Sequence, residues 1–137
     1  MSRPITLLTA QWNDMPLADV AEKAASWGYE GLELAAAGDH FDPSRGAKDQ
    51  KYCREKLEFL DSHGLKVFAI NACLAGQLIG GRNESERSDA WAPSRHAGDS
   101  EAKRQWGIDI TKDAARAATN LGINVVTSCS GSPIWHL

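Results

Sequence analysis

The sequence predicts an α/β chain in the order βαβαβαβ around a parallel sheet, and two observations carry that reading. First, one pattern occurs three times, in WGYEGLEL (residues 27–34), HGLKVFAI (63–70) and LGINVVTS (121–128). Each places a glycine after a helix-like stretch, then one apolar and one polar residue, then a strand-like run. A glycine suits the end of a helix because the backbone there turns left-handed, a conformation that penalises a Cβ. Second, the runs that follow are short and mostly apolar, as parallel strands covered on both faces are. The repeating unit is helix, glycine, turn, strand, which implies a parallel sheet with right-handed crossovers.

Taken in chain order, the first strand is ITLLT at 5–9. A helix follows over 15–27, where Leu17, Val20, Ala21, Ala24 and Trp27 keep helical spacing. Pro16 suits its first turn and Asp14 is the candidate cap. The second strand is 31–34. A second helix spans 48–63 with Cys53, Leu57 and Leu60 on one face, and leads into the third strand at 67–71. The third helix spans 99–121. Its stripe is Trp106, Ile110, Ala114, Ala117, Ala118 and Leu121, with Asp99 or Ser100 as cap. The fourth strand is 125–128. Trp27 and Trp106 are assigned to the core as members of helix faces.

Most connections are short. The exception is residues 78–98, the segment between the third strand and the third helix, rich in Gly, Ser, Arg and Asp. A connection of that length is a lid, a binding loop or disordered. It follows the C-terminal end of a strand, the side on which βα folds place ligands.

Two architectures fit this order: a doubly wound open sheet, and the first half of a (β/α)8 TIM barrel. The sequence ends in SGSPIWHL, with no helix to cover the fourth strand, which favours the half-barrel. Residues 1–137 are therefore expected to form a single N-terminal half-barrel, incomplete as a barrel.

Composition narrows the function classes. The chain has 137 residues, is 42% apolar and 24% charged, and carries a formal net charge of −3. With no basic cluster beyond AKRQ at 102–105, neither nucleic acid nor an anionic membrane surface is an expected partner. No apolar run approaches the roughly 20 residues that span a bilayer. The three cysteines, Cys53, Cys73 and Cys129, are widely spaced without C-x-x-C, which points to reduced thiols in a cytoplasmic protein. No G-x-S-x-G supports a serine hydrolase.

In GLELAAAGDHFDP (31–43), NACLAGQ (71–77) and SGSPIWHL (130–137) the chain resembles the sugar phosphate isomerase/epimerase family, whose members are xylose isomerase-like TIM barrels. The resemblance covers essentially the whole chain but only the first half of that barrel. It implies isomerase or epimerase chemistry on a small sugar, polyol or sugar phosphate, by proton transfer next to a carbonyl. It also implies a divalent metal, Mn, Mg or Zn, in the complete family barrel. The usual ligands of relatives, Glu, Asp, His and Glu, come from later strands, so no residue here inherits a metal or catalytic role. The chain alone is expected to lack the metal site and to be inactive. One departure is Cys73, which stands where related sequences often carry His before the GQ segment. A DNA-repair nuclease shares the broader fold family, but the acidic balance speaks against it.

Strand C-terminal ends in such a fold point into the barrel mouth. Those positions are Gln11, Trp12, Glu33, Asn71, Ser128 and Ser130, with Asp39, His40, Asp42, Gln77, Trp135 and His136 just beyond. Six are candidate substrate-binding residues: Trp12, Glu33, His40, Gln77, Ser130 and Trp135. Glu33 sits between Leu32 and Leu34, and a carboxylate there must be paired or hydrogen-bonded. It is either a substrate contact or a structural group bonded to a neighbouring strand. His40 is either a ligand contact, with an Asp holding its tautomer, or part of the scaffold. Asp39 and Asp42 read first as turn organisers before Pro43. Gln77 suits a polyol hydroxyl, Trp12 and Trp135 the C–H face of a sugar or the core, and Ser130 an anion-binding or plain turn. Cys73 and Cys129 read as small buried apolar residues.

Three functions remain distinct: half of a metal-dependent sugar or polyol isomerase/epimerase; a non-catalytic half-barrel that self-associates through its open sheet edges and binds a small polar ligand; and a complete open-sheet binding domain.

Overall fold

The computed structural model describes residues 3–131 of the chain. Four strands form one sheet: β1 Thr6–Leu8, β2 Gly31–Ala35, β3 Lys66–Asn71 and β4 Val126–Thr127. Every neighbouring pair is parallel, and the order is β1-β2-β3-β4. A doubly wound sheet reverses its strand order at a switch point. This sheet does not, so the sequential order of one half of a (β/α)8 barrel is what the described residues adopt.

The helices are α1 Leu17–Ser26, α2 Pro43–Gly46, α3 Gln50–Asp61, α4 Cys73–Gly76 and α5 Ser100–Leu121. One core holds the sheet to them. Leu7, Leu32, Leu34, Val67 and Ile70 from the strands pack with Leu17, Val20, Ala21 and Ala24 of α1, Cys53 and Leu60 of α3, and Ala114, Ala117, Ala118 and Leu121 of α5. Side chains alternate across a strand, so Glu33, between buried Leu32 and Leu34, lies on the face turned away from that core.

The three glycine turns repeat in geometry as they do in sequence. Gly28, Gly64 and Gly122 have φ of 83°, 71° and 71°. After each, the next N–H bonds back five residues: Tyr29 to Ala24, Leu65 to Leu60, Ile123 to Ala118, at 3.0–3.1 Å. That backbone bond with an apolar residue after the glycine is a Schellman ending, and it closes all three long helices.

Several local expectations are corrected. Asp14 does not cap α1. Pro16 occupies the cap position, and the Leu17 N–H instead donates to Asp39 Oδ2 at 3.0 Å, a bond from the loop after β2 that sequence spacing does not reveal. Asp42 and Asp49 cap α2 and α3, and Asp99 caps α5 as expected. Trp27 is 56% exposed, because it is the residue at which α1 ends, and its ring lies over Val20 and Lys23 beside Trp12 at the edge of the core. The stripe of α5 begins with Lys103 and Gly107, not with Trp106 and Ile110, which are half-buried. Gly107 is the reason: a Cβ there would lie 2.5 Å from the Ala75 carbonyl oxygen, so the bare glycine face sets how α5 meets α4.

Residues 78–98 are folded, with 3₁₀ turns at Glu86–Trp91 and Ser94–His96. Lys103, 1% exposed, anchors them: its Nζ donates to Ser88 Oγ at 2.8 Å and pairs with Asp89 Oδ1 at 2.5 Å. Asn83, at φ 56°, donates from Nδ2 to the Leu78 carbonyl at 2.7 Å. Among the described residues, no helix is long and apolar enough to cross a membrane.

Candidate functional site

The C-terminal ends of β2, β3 and β4 bring three polar side chains together. In register, Ala35 faces Asn71 and Asn71 faces Thr127. Glu33, two residues before Ala35, shares its face. Asn71 Nδ2 donates to Glu33 Oε1 and to Thr127 Oγ1, both at 2.9 Å, and Thr127 Oγ1 donates to Glu33 Oε1 at 2.5 Å. Asn71 Oδ1 accepts from the Cys73 N–H at 3.3 Å, which fixes the amide's orientation. Glu33 thus has one oxygen doubly bonded into the scaffold. No described residue donates to its Oε2. The result is an oriented carboxyl group with one acceptor that no described residue occupies, on the sheet face opposite the helices.

His40 lies in a second polar cluster and is 1% exposed. Its Nε2 contacts the Met15 carbonyl oxygen at 2.9 Å, and its Nδ1 contacts Thr9 Oγ1 at 3.0 Å. A carbonyl only accepts, so Nε2 carries the proton and Nδ1 accepts from the Thr9 hydroxyl. Thr9 Oγ1 in turn accepts from the Ala35 N–H at 2.9 Å. Both ring nitrogens are occupied, and the ring ties the segment after β1 to the end of β2. Asp39 and Asp42 serve backbone N–H groups, of Leu17 and Arg45.

The other candidates are scattered. Gln77 follows α4 and is half-buried, with no side-chain hydrogen bond to a described residue. Ser130 is exposed, and its backbone packs on Gly80, where a Cβ would collide with the Ser130 carbonyl oxygen. Trp12 is turned to α1: its ring lies 6.3 Å from that of Trp27, and both line a groove of about 520 Å³ with Ile5, Leu7, Gly28 and Tyr29. That groove runs along β1, away from Glu33. Trp135 lies outside the described residues, as does His136. Sequence reasoning passed over Thr127 and Thr9, and gave Asn71 a position without a role. Alternation was the usable signal for Thr127, which follows core-facing Val126 and so takes the face of Asn71.

Cys73 and Cys129 extend the Glu33 cluster. Burial, first, and then the adjoining Cys129 thiol and the Glu33 carboxylate push the Cys73 thiol above its usual value, against a hydrogen bond from Asn71. Among the described residues no three His, Cys, Asp or Glu side chains converge as metal ligands, and Glu33 offers one free oxygen. This donor set does not fit a divalent metal unaided.

The sequence model of one family, described as xylose isomerase-like TIM barrel, matches residues 21–136. No curated protein matches the chain.

Proposed function

Because the chain belongs to the xylose isomerase-like TIM barrel family, we propose that Glu33, Asn71 and Thr127 form one wall of a sugar or polyol site in an isomerase or epimerase. A single observation supports this: an oriented carboxyl group with an oxygen free of the described residues, at the strand ends where barrels of this kind place ligands. Glu33 Oε2 accepts a hydrogen bond from a ligand hydroxyl. Asn71 and Thr127 hold the carboxyl group still, so little ordering is required when the ligand arrives. Gln77 and Ser130, on the loops after β3 and β4, are the further contacts on this side, and a phosphate-bearing sugar is within the same substrate class. A divalent metal, Mn, Mg or Zn, would polarise the carbonyl in the complete barrel, and it needs donors beyond these residues.

The test is titration of this polypeptide with a panel of ketoses, aldoses and polyols, followed by amide chemical shifts. The expected result is shifts confined to 33–35, 71–77 and 127–130, abolished in Glu33→Gln. Shifts spread over the surface, or unchanged by that substitution, would overturn the reading.

A second reading has its own observation. Ile5 and Trp27 beside β1, and Val125 before β4, are 65%, 56% and 48% exposed, and they flank the two edges of the sheet. In this reading a second copy pairs its β4 with β1, so that two four-stranded sheets make eight strands. Mass measurement in solution decides: a dimer that Trp27→Lys dissociates supports it, and a monomer at high concentration overturns it.

A further inference from the structure

Asn71 and Thr127 are register partners in the last paired rung of β3 and β4; Cys73, the first residue of α4, and Cys129, in the segment after β4, each follow two residues later. The strands are still bonded just before that point, with the Ala72 N–H donating to the Thr127 carbonyl at 2.8 Å. The thiols adjoin one another, and both residues are half-buried. Gly76 brings the loops still closer: a Cβ there would lie 2.8 Å from the Cys129 nitrogen and collide with its carbonyl oxygen. Cys53 is apart from this, fully buried, with its thiol on the Gly46 carbonyl at 3.4 Å.

We propose that Cys73 and Cys129 are a reversible dithiol–disulfide pair, which locks the loops after β3 and β4 together beside the Glu33 cluster. The inference rests on the close approach of α4 to the segment after β4 and is independent of the sugar reading. With a hydroperoxide as oxidant, one thiolate attacks the terminal peroxide oxygen. The O–O bond breaks, the alcohol leaves with a proton, and the sulfur becomes a sulfenic acid. The second thiol attacks that sulfur, the S–S bond forms, and water leaves with the second thiol's proton. Each sulfur gives up one electron and the peroxide takes two. An external dithiol reverses the step by thiol–disulfide exchange and is itself oxidised. The thiolate is the nucleophile, and burial holds Cys73 protonated, so oxidation accelerates as pH rises into the alkaline range.

The experiment treats the folded chain with a hydroperoxide at mildly alkaline pH, blocks remaining thiols, and maps the digest by mass spectrometry. The expected product is one intramolecular Cys73–Cys129 link, lighter by two hydrogens, reversed by dithiothreitol, with Cys53 blocked only after unfolding. The link raises the melting temperature by about 5–10 °C. Cys73→Ser and Cys129→Ser each abolish the link and the shift. A link through Cys53, a link only between two chains, or sulfinic acid at Cys73 or Cys129 without any link would overturn the proposal. The wild-type map decides even where a variant fails to fold.

Discussion

Two polar clusters sit at the C-terminal ends of these strands, and they differ in one respect. In the His40 cluster every hydrogen-bonding atom is engaged: Ala35 N–H to Thr9, Thr9 hydroxyl to His40, His40 to the Met15 carbonyl. In the Glu33 cluster the chain of bonds stops at Oε1, and Oε2 is left open by the described residues. A closed relay of buried groups is scaffold, since each group compensates its neighbour's lost hydration. An open one, on the face away from the core, keeps an acceptor for something else. Residue type does not separate the two, as histidine and glutamate are equally good catalytic groups.

The largest effect should fall on the closed cluster. His40→Ala leaves the Thr9 hydroxyl and Met15 carbonyl without their partner inside the core, and should destabilise the fold by about 3 kcal/mol in urea titration. Thr9→Val keeps the volume but strands the Ala35 N–H, at a cost of about 1–2 kcal/mol by the same measurement. Thr127→Val removes one of two donors to Glu33 at a half-buried site, and about 1 kcal/mol is expected. Glu33→Gln should change stability by less than about 1 kcal/mol while removing ligand-induced shifts. If instead Glu33→Gln unfolds the chain as His40→Ala does, both clusters are scaffold and the contrast fails.

The smallest effect sharpens the comparison at the loop that joins β3 to α5. Asp89 is held below the usual carboxylate range, chiefly by the hydrogen bond from Lys103 and then by the Gly98 N–H. A carboxyl group whose folded value is depressed stabilises the fold above its unfolded value, and that contribution is lost as pH falls through the folded one. The anchor of residues 86–98 should therefore loosen below about pH 4, where unfolded aspartate titrates. Hydrogen-exchange protection of those residues, relative to the intrinsic rate at each pH, should fall on acidification, and Lys103→Met should flatten that dependence. Asp49 and Glu101 are depressed as well, by the Tyr52 N–H and by Arg104, so the difference between the two proteins isolates Asp89.

Much of this architecture was legible because it is local. A glycine at a helix end, an Asp before a helix and a short apolar run each report a backbone need met within a few residues, which is why Gly28, Gly64 and Gly122 were readable as turns. The site was only partly legible. Glu33 stood out as a carboxylate among leucines, but its partners lie 38 and 94 residues away. Nothing at Thr127 announces that it donates to Glu33. Lys103 showed in the sequence only as part of the basic cluster AKRQ, and is buried because Ser88 and Asp89, in a loop of no regular pattern, close over it.

By itself the sequence determined the unit of the fold, helix, glycine, turn, strand, and its repetition, because hydrophobic period and backbone conformation are properties of neighbouring residues. Tertiary structure alone decided that the strands stand in sequential order, that His40 is enclosed while Glu33 keeps an oxygen free of the described residues, and that Cys73 meets Cys129. Those outcomes depend on which strand lies beside which and in what register. Register is set by the packing of the whole sheet on its helices, and no short stretch of residues carries it.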